Sequence, residues 1–436
     1  MSRRRFHFLS TPLLTTLGRS GGFIIPFLIA RKYGAGHSTD AFFLAYGLVF
    51  AVSGIFSPVF ESYSLPYLAE QKKITGNISR FSNDILFVIL PATIGISLLM
   101  WMILPFVLTH WSGLNAEVSR FAAQLFLEMT PLLLFGIWVS THNGIFHTHQ
   151  IFWFPAISPL IRSLWVIGWL WLGYSRMGVH AIAVGFVFGE IFRWAVGILL
   201  LVRLKLWEFE AKWQGLGSRI GDFLKQAFLQ MSALLGVHLI PLTDQWFASW
   251  LGPGKLSLAS YADRLFQVPC QIFVTGFLQV FLSYWSEAYY QESSGAFWKR
   301  SWQDIARVFW ISLFISVLGV GLRTPLVKIA FGFGHFSEQE LNLIANFFGW
   351  LMAGLTPTVI YILFARMLFV IKKSSVFFFQ SWLRFLLNIV FNFIFMRAFG
   401  FTGIAMSTCF VYISTGIWLY LYLKRHRKTT EAGGIA

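Results

Sequence analysis

Acidic residues are scarce in this chain. Asp and Glu number 18 against 34 Lys and Arg, only 12% of the 436 residues are charged at all, and cysteine occurs twice. Cys270 and Cys409 both fall inside apolar runs, so neither a disulfide framework nor a thiolate metal set can be argued. No phosphate-binding glycine loop with its lysine, zinc-protease helix motif or serine elbow occurs, which argues against an ATP-driven pump and gives no reason to expect a cofactor. The basic start Arg3-Arg4-Arg5 is not followed by a small-x-small cleavage site, so the first apolar stretch reads as a retained helix. A net charge of +16 suggests nucleic acid at first sight, but no basic stripe lies on a soluble domain, and no nucleic-acid partner is expected.

What is present in abundance is apolar. Hydrophobic residues make up 56% of the chain, aromatic residues 19%, and the mean hydropathy is +0.66. That composition describes an all-α polytopic membrane protein, because in hydrocarbon a helix satisfies its own backbone groups. Runs of the length needed to cross a bilayer give about twelve transmembrane helices. They lie near 11–32, 41–68, 84–109, 119–146, 152–174 and 179–202, then 224–250, 257–286, 305–331, 342–366, 375–397 and 402–423. With the N-terminus inside, most Lys and Arg fall on inner segments, such as Lys72-Lys73, Arg203 to Lys225, Lys372-Lys373 and Lys424 to Lys428. This satisfies the positive-inside rule with both termini cytoplasmic, and makes the basic clusters topology signals and contacts for membrane lipids.

A charged stretch near the midpoint divides the chain into residues 1–205, a cytoplasmic linker over 206–223, and residues 224–436. Each half opens with a hairpin turning through a glycine pair, Gly34-Ala35-Gly36 in one and Gly252-Pro253-Gly254 in the other. Two six-helix lobes in parallel repeat, with substrate in a central cavity, are the expected architecture. Gly21-Gly22 with Pro26 is the expected bend in the first helix, while Pro155, Pro159, Pro241 and Pro269 read mainly as packing features.

Five arginines interrupt the apolar runs: Arg19, Arg162, Arg193, Arg264 and Arg384. A guanidinium at the bilayer centre costs at least ~2.5 kcal/mol, so these side chains need a partner or a watery cavity. Arg19, Asp263 and Arg264 are candidates to line a cavity, the arginines forking a phosphate or pyrophosphate, with neutralisation of Arg264 by Asp263 or Asp244 as the alternative. Glu190 and Arg193 share a helix face and read as an internal ion pair. Arg162 and Arg384 have no acidic residue within four positions, so their partners come from other helices, from lipid or from cargo. Asn388 and Asn392 continue a polar stripe from Arg384. Glu61, Glu128 and Asp244 are candidates for a coupling ion, or for protonated hydrogen-bond donors. His142, Asn143, His147 and His149 gather on one helix end, but no carboxylate or cysteine completes a metal set there.

The stretch Leu17-Gly18-Arg19, Ile29 to Gly36, Thr39-Asp40-Ala41-Phe42-Phe43-Leu44-Ala45 and Leu65 to Glu70 resembles the start of the MviN/MurJ-type flippases. Tyr261-Ala262-Asp263-Arg264-Leu265-Phe266-Gln267-Val268-Pro269 is similar to their eighth helix. The resemblance, within the multidrug/oligosaccharidyl-lipid/polysaccharide exporter superfamily, implies a transporter that flips an undecaprenyl-pyrophosphate-linked saccharide across the bacterial inner membrane by alternating access. It carries over Arg19, Asp40 and Arg264 as cavity residues, and implies glycan-biosynthesis enzymes as neighbours. Two basic positions of the lipid II flippases fall here on Ile24-Ile25-Pro26 and near Ser53, and the chain stops after Lys428 and a short polar tail, where they continue into two more helices. The expected cargo is therefore a polysaccharide or cell-wall precursor in general, with lipid II itself and a cation-coupled multidrug antiporter as alternatives. A membrane glycan polymerase fits less well, because every outer loop is short.

Overall fold

The computed structural model describes residues 2–75, 78–208, 218–273, 278–291 and 293–432, and helix is the only regular structure among them. The first ten helices are α1 (Ser2–Tyr33), α2 (His37–Pro58), α3 (Leu65–Thr75), α4 (Ser79–Trp111), α5 (Ala116–Thr148), α6 (Trp153–Ile157), α7 (Pro159–Leu172), α8 (Tyr174–Met177), α9 (His180–Arg203) and α10 (Ser218–Ser249). Then follow α11 (Lys255–Ile272), α12 (Leu278–Gln291), α13 (Ser294–Gly321), α14 (Arg323–Phe331), α15 (Glu338–Ala353), α16 (Leu355–Val370), α17 (Ser374–Phe399) and α18 (Phe401–Ala432). The chain forms two compact units, one of Met1–Ile29 with Ala35–Leu242, the other of Ala30–Gly34 with Thr243–Ala436.

Among the described residues nine helical segments are long and apolar enough to cross a bilayer, and the pair α15 and α16, bent by 40°, makes a tenth. The two further spans read from the sequence, 11–32 and 257–286, fall on α1 and on α11 with α12, and residues 274–277 of the second lie outside the described residues. The outward faces carry exposed Met102, Trp310, Phe314 and Val317, the surface expected of helices that meet lipid. The chain is an all-α polytopic membrane protein.

Helix starts follow ordinary capping chemistry. Asn115 accepts from the Val118 amide at 2.8 Å to open α5, and Ser337 with Glu340 forms a reciprocal capping box on α15. Gly34, Gly252 and Gly254 take φ of +65°, +101° and +78°, which explains glycine in both hairpin turns. In the second unit the Tyr261 hydroxyl donates to the Gly34 carbonyl at 2.7 Å.

Within the first unit α5 packs along α2, α4 and α9, and α9 packs along α7. Pro58 ends the regular part of α2, which continues as a π-helical turn over Val59–Tyr63. Pro159 does more than pack. It stands in the first turn of α7, where its missing N–H is no loss, and the span read over 152–174 is Trp153–Leu172, with α6 and α7 joined through helical Ser158 and the short α8 following.

The stretch expected to bend lies inside the one helix α1, and Gly18 and Gly21 there serve close packing. A Cβ at Gly18 would overlap the Ala156 carbonyl, and one at Gly21 would overlap Ser163, whereas Gly22 faces open space. Gly21→Leu is expected to destabilise the protein by about 1–3 kcal/mol through overpacking. Gly22→Ala is expected to be neutral or stabilising, by at most about 1 kcal/mol. Thermal unfolding of the two purified variants in detergent checks both.

The linker expected over 206–223 starts on a clip. Trp207 Nε1 donates to Asn83 Oδ1 at 3.0 Å, Asn83 Nδ2 donates to the Glu208 carbonyl at 3.0 Å, and the Glu208 amide donates to Ser79 Oγ at 3.0 Å. Buried Trp207 joins the apolar cluster of Phe60, Phe146, Phe154 and Phe223. Residues 209–217 of that linker lie outside the described residues.

Candidate functional site

The mid-span arginines Arg162 and Arg193 of the first unit both pair with one carboxylate of the same unit. Glu190, on α9 and 2% exposed at its side chain, places Oε1 3.1 Å from Arg193 and Oε2 3.3 Å from Arg162 on α7. Arg193 Nε also donates to Ser158 Oγ at 2.9 Å, just before α7. Arg162 lies over the rings of Phe50 and Phe186 at 5.5 and 6.0 Å. Two guanidiniums thus share one carboxylate, and the two aromatic faces supply part of the missing negative potential. Gly189 makes this possible, because a Cβ there would overlap the Arg162 backbone.

Glu61 and Glu128 each meet a histidine. Glu61, in the π-helical turn, accepts from His147 Nε2 at 3.3 Å. Glu128 accepts from His180 Nδ1 at 2.7 Å and from Gln124 at 3.2 Å. His142 and Asn143 are buried, and His142 Nδ1 and Asn143 Oδ1 have no hydrogen-bond partner among the described residues. His149, just past the end of α5, donates from Nδ1 to the Ile145 carbonyl. Burial and nearby Lys72 lower its pKa below the usual histidine value, with the hydrogen bond opposing them. Among the described residues no group of three or more His, Cys, Asp or Glu is placed to hold a metal ion. Cys270 and Cys409 are free and buried.

In the second unit Asp244, on α10, accepts from Asn388 Nδ2 at 2.9 Å, from Asn392 Nδ2 at 2.7 Å and from Thr408 Oγ1 at 3.2 Å. The asparagines lie one turn apart on α17 and the threonine on α18, so the polar stripe of α17 faces inward and meets a carboxylate held by neutral donors. One turn earlier, Arg384 is 4% exposed, with its guanidinium 4.7 Å from the Tyr361 ring centroid and 5.4 Å from that of Tyr412. The stripe extends one turn further, to Gln380, whose Oε1 accepts from the Tyr361 hydroxyl at 2.5 Å. Thr408, Gln380, Tyr361 and Tyr412 were not evident as site residues in the sequence, although Gln380 completes a polar i, i+4 repeat and carried a signal.

The four residues of the family-like motifs sit differently. Arg19 is exposed on α1 and makes no hydrogen bond or ion pair among the described residues. Asp40 is fully buried in the first turn of α2, where the unpaired amides of a helix start favour a carboxylate. Asp263 and Arg264 are adjacent on α11 and partly buried, and Asp263 accepts from Gln267 at 3.3 Å.

A family model described as lipid II flippase MurJ matches residues 29–436. The chain belongs to the MurJ family. A MurJ relative from Thermotoga maritima, named a probable lipid II flippase, is 25% identical over 430 residues, covering 95% of this chain and 85% of its own. Among solved structures, a lipid II flippase MurJ in an inward closed conformation superposes with a TM-score of 0.84 at 20% identity, over 95% of this chain and 87% of that one. An inward-facing multidrug resistance MATE transporter of the MOP superfamily gives 0.80 at 12% identity, over 98% and 99%. At such identities the likenesses speak for the fold alone. MurJ membership together with the apolar helices makes this a multi-pass protein of the bacterial inner membrane and a transporter rather than an enzyme.

Proposed function

We propose that this MurJ-family chain is a lipid II flippase that moves its undecaprenyl-pyrophosphate-linked cargo across the cytoplasmic membrane by alternating access, with both termini cytoplasmic. The observation that carries the reading is the family match over residues 29–436, which favours lipid II over lipid-linked saccharides in general. Arg19, exposed and without a protein partner among the described residues, and Arg264 supply the guanidinium forks for the diphosphate. Arg162 and Arg193 are committed to Glu190 and hold helices α7 and α9 together. The domain reading, two lobes joined through residues 206–223, belongs to the same proposal, as do glycan-biosynthesis enzymes as neighbours.

Asp244 is the coupling-ion residue in this reading, because its partners are neutral and no basic residue pairs with it among the described residues. Glu61 and Glu128 are already occupied by histidines. Asp244→Asn keeps the size of the side chain and removes the charge that a proton or monovalent cation would balance. It is expected to slow ion-driven transport about tenfold or more, a loss of ~1.4 kcal/mol or more in ion binding. Flipping of fluorescent lipid II in proteoliposomes, measured with an imposed sodium or proton gradient, checks this.

The same assay tests the cargo. Wild-type protein is expected to flip lipid II faster than an undecaprenyl-pyrophosphate carrying an unrelated capsular oligosaccharide; preference for the latter would return the reading to the broader class.

A further inference from the structure

The second unit holds two deeply buried hydrogen-bond donors that meet no acceptor among the described residues. They are Arg384 Nε and Gln380 Nε2, both without a hydrogen-bond partner among the described residues, in residues 4% and 0% exposed. They lie one turn apart on the same face of α17. The Gln380 amide is oriented by its other end, where Oε1 takes the Tyr361 hydroxyl. The guanidinium is covered by the rings of Tyr361 on α16 and Tyr412 on α18. No carboxylate forms an ion pair with Arg384 among the described residues.

Aromatic faces attract a cation but do not neutralise it, and each unmet buried donor carries its own desolvation cost. A water molecule would satisfy the donors and leave the charge. An acceptor with one negative charge answers both needs. We infer that the second unit binds one small monovalent anion of the halide class between Arg384 Nε and Gln380 Nε2.

The chemistry narrows the ligand further. A dianion would exceed the single guanidinium charge and bury an excess of its own. A tetrahedral oxyanion would bring more acceptor oxygens than the two available donors, leaving several unmet inside the protein. The lipid-linked diphosphate is excluded on the same two grounds and by the near-complete burial of both side chains. The inference therefore stands apart from the cargo reading, and its test does not depend on which lipid is carried.

The test uses the full chain purified in detergent. Thermal unfolding is followed at constant sodium and constant ionic strength while gluconate is exchanged for chloride or bromide. Wild-type protein is expected to gain about 2 °C or more, saturably, in either halide. Arg384→Gln and Gln380→Leu are each expected to lose that gain. Crystals grown in bromide should show an anomalous peak within hydrogen-bond reach of both nitrogens, a readout that stands even if a variant fails to fold. Equal unfolding temperatures in gluconate and halide, a halide effect that survives Gln380→Leu, or bromide crystals without a peak at that position would overturn the proposal.

Discussion

Arg19→Ala and Arg264→Ala are each expected to cut lipid II flipping in proteoliposomes by roughly 10- to 100-fold, while the protein still reaches the membrane. The size follows from charge-assisted hydrogen bonds, worth about 1.5–3 kcal/mol each where water is excluded. Arg19 has no protein partner among the described residues, so its removal leaves no internal charge stranded and the effect should fall on transport, not on folding. Arg19→Lys is expected to recover only part of the loss, because an ammonium presents a point charge in place of a planar fork. Unimpaired flipping by both alanine variants would remove the guanidiniums from cargo binding.

The second large effect is on stability. Glu190→Gln is expected to destabilise the first unit by about 3–5 kcal/mol, the usual penalty for breaking a buried ion pair and stranding its partner. Here two partners are stranded, since Arg162 at 3.3 Å and Arg193 at 3.1 Å both depend on the one carboxylate. Adding Arg193→Met to Glu190→Gln should restore part of the loss. It removes the more deeply buried cation, while Arg162, 22% exposed at its side chain, can regain some hydration. Unfolding temperature and detergent-extracted yield of the three proteins check the order: wild type first, then the double variant, then Glu190→Gln.

Span positions were readable because a bilayer imposes one length and one polarity on every crossing helix. The family-like motifs around Arg19, Asp40 and Asp263-Arg264 were readable because they are contiguous. Pairings across helices were not. Arg162 shows no acid within four positions, and its partner Glu190 lies on another helix. Asp244 likewise meets Asn388 and Asn392 from far along the chain, in contacts that only tertiary packing creates. Pro159 stands in the first turn of α7, inside the span Trp153–Leu172 that the hydropathy predicts. Aromatic residues concealed the most: in a chain with 13 Tyr, 19 Trp and 49 Phe, nothing local distinguished Tyr361 and Tyr412 from residues that face lipid.

The central claim is that guanidinium groups hold the cargo by its diphosphate. Equilibrium binding of labelled lipid II to the detergent-solubilised protein, competed with undecaprenyl pyrophosphate that carries no saccharide, tests it most directly. The account predicts that the bare pyrophosphate lipid competes with wild-type protein and that the Arg19→Ala/Arg264→Ala double variant binds lipid II at least about 100-fold more weakly. Failure of the bare pyrophosphate to compete, or wild-type affinity in the double variant, would contradict it.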